Sequence, residues 1–193
     1  MADSPAQRRR ERERAERRQL IVDSARELAE AEGWDAVTTR RLADTIEYSQ
    51  PVLYSHFANR AAIVDAVVVD GSAELAAALR SAREGADDDA ARAVAQAYLD
   101  FAATRPALYD AIFTMPSGLS FGTPDSPPAL RDAFGELQRA FATGTDGADA
   151  ELLTEVVWSA LHGLASLVRS GRLRPDLRDE RLARLLELVT VSR

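Results

Sequence analysis

Apolar residues recur along this chain at steps of three and four and nowhere in strict alternation, so the pattern predicts helices throughout. Ile21, Ala25, Leu28 and Ala29 form the first stripe, over a helix at about residues 18–32 that Gly33 ends as a C-cap. Trp34 and Val37 are spaced to pack in the connector. Thr38 or Thr39 caps a short helix whose Leu42, Ala43 and Ile46 face inward. A second short helix starts after Ser49, with Pro51 in its first turn, where a missing N–H costs nothing. Its Val52 and Leu53, and Phe57 beyond, are placed to pack inward.

A long helix follows over residues 60–83, with Ile63, Val64, Val67, Val68, Leu75 and Leu79 spaced for burial and Gly71 as a weak point. At ~1.5 Å per residue it spans roughly 35 Å, enough to leave one domain and enter another. Residues 90–104 place Val94, Tyr98, Phe101 and Ala102 on one face, until Arg105 and Pro106 break the helix. A shorter helix at 107–115 carries Leu108, Tyr109, Ile112 and Phe113. Residues 116–128 hold too many prolines and glycines for regular structure, and Leu119 and Phe121 give that loop apolar anchors. Leu130, Phe134, Leu137 and Phe141 then mark an amphipathic helix, followed by a turn between Gly144 and Gly147. A helix at 148–170 is apolar on more than one face and stops at Gly171; the last, at 179–191, shows Leu182, Leu185, Leu186 and Val189. A broad apolar helix and a narrow one at the end of the chain suit a two-fold dimer surface.

The expected fold is therefore all-α, with about nine helices. Residues 1–60 form an N-terminal arm and a three-helix helix-turn-helix head; the long helix joins it to a helical ligand-binding and dimerisation domain, residues 61–193.

Charge sharpens this picture. Of 193 residues, 24 are arginine or lysine and 31 are acidic, for a net charge of −7, which argues against a protein that coats nucleic acid with its whole surface. Every basic residue is arginine. Residues 1–60 balance to zero and residues 1–22 carry +3, whereas residues 61–193 hold the whole net −7, so only the front of the chain suits phosphates. Residues 5–18 mix signs at helical spacing, as in Glu13 and Arg17. That pattern fits a solvated terminus, an outward extension of the first helix, or a basic arm beside the main contact. No cysteine is present, which removes disulfides and thiolate chemistry and suits a cytoplasmic protein. No apolar run approaches the ~20 residues of a membrane span, and no apolar stretch follows the N-terminal arginines as in a secretory signal.

Catalytic and metal patterns are lacking. His56 and His162 fall in different predicted domains, and no His-Glu-x-x-His spacing, phosphate loop or nucleophile elbow occurs. The expectation is no enzyme, no metal and no cofactor. The second short helix instead carries Gln50, Tyr54, Ser55 and His56: an amide, a phenol and an imidazole suited to a DNA groove and its phosphates. In the second half, the aromatic residues sit at helical spacing and are mostly core. Tyr98 and Tyr109 bring hydroxyls, however, and Trp158 and His162 lie four apart, as polar tips of a small-molecule pocket would. Tyr98, Phe101, Tyr109, Phe113, Trp158 and His162 are the candidate ligand residues.

Residues 21–67 resemble the DNA-binding head of the TetR family, the tetracycline-repressor-like transcriptional regulators. The resemblance runs through Ile21, Ala25, Leu28, Gly33, Val37, Thr38, Leu42, Ala43, Ser49, Leu53, Tyr54, His56, Phe57, Arg60 and Ile63. It implies that Thr39 touches phosphate, Arg40 reaches a guanine edge, Gln50 reads a base, and Pro51 meets a thymine methyl. Tyr54, His56 and Arg60 would hold the backbone. Trp158, His162 and Gly163 resemble the Trp-x-x-x-His-Gly motif of one class of TetR ligand domains. The implied protein is a cytoplasmic, homodimeric repressor that binds a palindromic operator in double-stranded DNA and is released by a small-molecule effector. Two alternatives stay open: a C-terminal domain that only dimerises or binds a protein, and a small helical enzyme. One departure stands out. Glu47 occupies the turn position where the family usually has glycine, and a positive φ there costs a glutamate ~1–2 kcal/mol.

Overall fold

The computed structural model describes residues 4–142, 144 and 147–190. Among them every regular element is helical: α1 Pro5–Glu32, α2 Thr39–Thr45, α3 Gln50–His56, α4 Arg60–Glu84, α5 Ala90–Thr104, α6 Pro106–Phe113, α7 Pro128–Phe141, α8 Gly147–Arg169 and α9 Arg178–Thr190. Single 3-10 turns lie at Trp34–Ala36 and Pro175–Leu177. The fold is all-α. Gly71 does not interrupt α4. The turn expected between Gly144 and Gly147, and the end of the last helix at residue 191, fall partly outside the described residues.

Packing divides the chain into two compact units. One runs as far as Val69 and adds Ala107–Leu119; the other comprises Asp70–Pro106 and Ser120–Arg193. Helix α4 contributes to both. The sequence pattern puts a boundary near residue 60 and groups α6 with the later helices, whereas packing groups α6 with the head.

In the first unit, Ile21 and Ala25 of α1, Leu42 of α2, Leu53 of α3 and Ile63 and Val67 of α4 are fully buried, together with Val37 from the connector. Gly33 ends α1 at φ +85°, a conformation that glycine adopts without a Cβ penalty, and its N–H donates to the Ala29 carbonyl at 2.8 Å. The indole of Trp34 donates to the Ala107 carbonyl at 2.8 Å, and the Glu30 carboxylate accepts the N–H groups of Ala107 and Leu108 at 3.1 and 3.0 Å. A side chain of α1 thus satisfies free amides at the start of α6, which is why this helix belongs to the head.

Helix α1 begins 13 residues earlier than its apolar stripe predicts. Ser4 caps it, its Oγ accepting the Gln7 N–H at 3.2 Å, and Pro5 occupies the first helical position. Residues 5–20 bury no apolar side chain, so periodicity carries no signal there.

In the second unit α5 packs against α7, α8 and α9, and Val94, Leu137, Val157, Leu161 and Leu182 are buried between them. Glu136 of α7 is buried as well and accepts Arg80, Arg83 and Arg139, each at 2.9 Å. Burial pushes its pKa up, but the hydrogen bonds from Arg83 and Arg80 and the charge of Arg139 outweigh this and hold it below the usual carboxylate value. The arrangement ties the end of α4 to α7.

Candidate nucleic-acid interface

The helix-turn-helix is built by its caps. Thr38, of the two candidate threonines, caps α2: its hydroxyl accepts the Arg41 N–H at 3.1 Å. The turn after α2 closes with Tyr48 N–H donating to the Ala43 carbonyl at 2.9 Å, across residue 47. This six-to-one bond requires a left-handed residue at its inner position, and Glu47 supplies it at φ +55°. Among the described residues it is the one non-glycine with positive φ. Ser49 stands at the N-cap of α3 with extended φ and ψ, yet its hydroxyl makes no capping bond; its carbonyl accepts the Val52 and Leu53 N–H groups instead.

Helix α3 buries Leu53, and Phe57 just beyond it, and turns Gln50, Pro51, Val52, Tyr54 and Ser55 outward. Val52 corrects the sequence pattern, which placed it inside; it is 38% exposed. In a helix of two turns the apolar periodicity is too short to choose a face, and an exposed valine beside Pro51 adds apolar surface of the kind that meets thymine methyls. Tyr54 OH lies 3.4 Å from Thr39 Oγ1, so two of the predicted phosphate contacts, from α2 and α3, converge. Arg40 is exposed beside them. Arg41 points elsewhere, into an ion pair with Glu32 at 2.6 Å.

Two predicted contacts, Ser55 and Arg60, carry structural duties of their own, and a third, His56, is partly withdrawn from solvent. The Ser55 hydroxyl donates to the Val52 carbonyl at 2.6 Å within its helix. Arg60 is half-buried, its Nε and Nη2 donating to the carbonyls of Val37 and Trp34, both at 2.6 Å; it locks the connector to the start of α4. His56 is half-buried and its Nδ1 is buried without a hydrogen-bond partner. Burial, and then the charges of Arg14, Arg17 and Arg18, push its pKa below the usual histidine value. Arg18 also donates to the His56 carbonyl at 3.0 Å and lies over the Phe57 ring, 4.0 Å from its centroid, a cation–π contact that joins α1 to the end of α3. The sequence pattern missed Arg18; its only signal is its place one turn before Ile21.

The candidate ligand residues form two groups, one in each unit. Tyr98, Phe101, Trp158 and His162 lie in the second. Tyr98 is fully buried and its hydroxyl accepts the Trp158 indole N–H at 3.1 Å; Trp158 in turn meets Phe134 edge-on. Phe101 is buried. His162 is half-buried, its Nε2 3.4 Å from Ser166 Oγ, and burial followed by the charge of Arg169 lowers its pKa. Tyr109 and Phe113, on α6, lie in the first unit with ring centroids 4.7 Å apart. An open cleft of about 510 Å³ occurs elsewhere, between Arg92, Gln96 and Asp179, and touches none of the six.

Two family models match this chain. The first, Bacterial regulatory proteins, tetR family, covers residues 21–67; the second, Tetracyclin repressor-like, C-terminal domain, covers residues 91–189, about half the chain. The chain belongs to the TetR family. Among relatives, the uncharacterized HTH-type transcriptional regulator Rv0681 of Mycobacterium tuberculosis is 31% identical over 80% of this chain and 71% of its own length. The class D tetracycline repressor protein of Escherichia coli is 42% identical over 53 residues, which span 28% of this chain and 24% of that protein. Among solved structures, the putative regulatory protein SCO4313 superposes with a TM-score of 0.72 at 26% identity, over 93% of this chain and 97% of that one. This TetR-family chain is accordingly a DNA-binding transcriptional regulator, a class that is not enzymatic, and α2–Glu47–α3 is its helix-turn-helix. Among its described residues no helix is long and apolar enough to cross a membrane, and no group of three metal-ligating side chains could hold an ion.

Proposed function

We propose that this regulator acts in the cytoplasm as a homodimeric repressor, docking α3 of each head in the major groove of a palindromic operator. The observation that carries the reading is the convergence of Thr39 and Tyr54 beside the outward Arg40, Gln50, Pro51 and Val52. Gln50 has the paired donor and acceptor that suit an adenine edge, Arg40 the fork that suits guanine, and Pro51 and Val52 apolar surface for a thymine methyl. Thr39 and Tyr54 position the head on phosphates; His56 adds a contact that strengthens when it is protonated. Arg60 contributes chiefly by holding the connector, with any phosphate contact secondary.

Dimerisation through α8 and α9 draws support from apolar exposure. Leu152 (59% exposed), Val156 and Leu167 fall on one side of α8, and Leu188 of α9 is 67% exposed. Gly163 lies on the same side of α8, with open space where a Cβ would stand. Single exposed apolar residues are ordinary, but a stripe over four turns is not.

Release by a small molecule is the next part of the reading. Tyr109 and Phe113 sit on α6, whose first amides are held by Glu30 of α1, so a ligand that moved α6 would act directly on the head. This also assigns DNA contact to residues 1–60 and ligand and dimer contacts to residues 61–193. A second reading, in which the C-terminal part only dimerises or binds a protein, is favoured by one specific fact: Tyr98 spends its hydroxyl on Trp158 and is fully buried. Electrophoretic shifts on DNA upstream of the protein's own gene distinguish these. Retardation reversed by a small molecule supports the full reading; retardation with no molecule that releases DNA or raises the melting temperature favours the second. No retarded DNA at low salt sinks both.

A further inference from the structure

The first 16 residues of α1, 5–20, project as an exposed helix that contributes nothing to the apolar core. A helix of this length is marginal alone, and here a Ser4 cap and an Arg9–Glu13 pair at 2.8 Å support it. Its charges are not spread evenly. At about 100° per residue, Arg10, Arg14, Arg17 and Arg18 fall within a sector of roughly 100° that also contains Ile21. Ile21 is fully buried in the head, so this arginine stripe continues the face that α1 turns toward its neighbours, past the point where neighbours end. Glu16 lies on another side, with Arg9 and Arg12; Glu11 borders one edge of the stripe and Glu13 the other, where its charge bears on Arg17 and Arg10. The stripe also adjoins the candidate DNA face. Arg14, Arg17 and Arg18 bear electrostatically on His56, and Arg18 is fixed against His56 and Phe57 at the end of α3.

A helix face that is basic where it would otherwise be apolar fits a polyanion, and docking of α3 would bring DNA beside it. We propose that Arg10, Arg14 and Arg17 form a helical arm that grips the phosphates flanking each operator half-site, outside the base pairs read by α3. The proposal rests on the reading that α3 docks on DNA. From Arg18 back to Pro5 the arm is about 20 Å long, which corresponds to roughly six base pairs of backbone. The arm adds affinity without sequence preference, and its contribution fades as salt rises.

The test compares full-length wild type with Arg10→Gln/Arg14→Gln/Arg17→Gln and with a control on the other side of the helix, Arg8→Gln/Arg12→Gln, which spares the Arg9–Glu13 pair. Operator affinity is measured from 50 to 200 mM salt, on duplexes that end at the half-sites and on duplexes about eight base pairs longer at each end. Loss of one phosphate contact per head makes the salt slope shallower by about 2, equivalent to roughly tenfold less weakening over that range. The expected result is that wild type and control prefer the longer duplex, whereas the triple variant shows the shallower slope and no preference. Equal slopes and equal length preference for all three proteins overturn the arm while leaving α3 docking intact. If wild type recognises no operator on either duplex, the docking reading fails, and the arm with it. Far-ultraviolet circular dichroism and a Gln50→Ala variant separate these cases: a folded triple variant that still depends on Gln50 attributes any change to the arm.

Discussion

Glu30 of α1 accepts the backbone N–H groups of Leu108 and Ala107 at 3.0 and 3.1 Å, so a carboxylate from the DNA-binding head caps the first turn of α6. The bond links residues 78 apart in sequence, and with the Trp34 indole on the Ala107 carbonyl it forms a two-point clamp. Replacing Glu30 by glutamine removes the charge that favours a helix N-terminus and leaves a single acceptor. Stability is expected to fall by ~1 kcal/mol, as for the loss of a good N-cap. Urea unfolding checks this, and the variant is expected to keep operator binding while responding less to an effector.

Glu47 holds φ +55° at the helix-turn-helix turn. Glu47→Gly removes the steric strain and is expected to stabilise the head by ~1 kcal/mol. Glu47→Gln keeps the strain and removes only the charge. Both are expected to tighten DNA binding if the carboxylate faces phosphates, but only the glycine variant raises the unfolding midpoint. A destabilised Glu47→Gly protein contradicts the strain at this position.

Much of the head was legible from sequence because local chemistry decides it. Gly33 and Thr38 mark helix ends through capping and Pro51 marks a first turn, whereas Glu47 stands out only through the resemblance to the TetR family, which usually has glycine at that turn position. Contacts between distant residues were not legible. Nothing local distinguishes Arg60 reaching phosphate from Arg60 bound to the Val37 and Trp34 carbonyls, and nothing near Glu136 announces three arginines. The ligand candidates show the same limit. Tyr98 and Trp158 stand out in the sequence by their polar tips, which the fold pairs with each other. Val52 defies the apolar pattern because a two-turn helix offers only one repeat of it.

Both histidines titrate below the usual value, His56 through burial and then nearby arginines, and His162 through burial and then Arg169. An unfolded chain takes up protons near pH 6.5 while the folded one resists until lower pH. Stability is therefore expected to fall as pH drops through about 6.5, and to stop falling on this account below the folded pKa values. His56→Gln/His162→Gln removes that decline, read from urea midpoints at pH 7.5 and 5.5. DNA phosphates raise the His56 pKa, so operator affinity is expected to rise on acidification in wild type and not in His56→Gln.

The exposed side of α8 predicts how dimers break. Val156 is 55% exposed in the single chain, so Val156→Glu leaves helix content unchanged. In a two-fold dimer it brings two like charges into an apolar contact, which costs several kcal/mol and weakens association by at least about 100-fold. Sedimentation equilibrium reads this directly. An undiminished dimer places the interface elsewhere.

The most direct measurement is hydroxyl-radical footprinting on DNA upstream of the protein's own gene, with wild type and Gln50→Ala/Tyr54→Phe at equal salt. The expected result is two symmetric protected half-sites centred about one helical turn, or a multiple of it, apart. With the double variant folded and dimeric, that protection is lost. Protection that survives both substitutions, or none from folded wild type at low salt, contradicts DNA reading by α3.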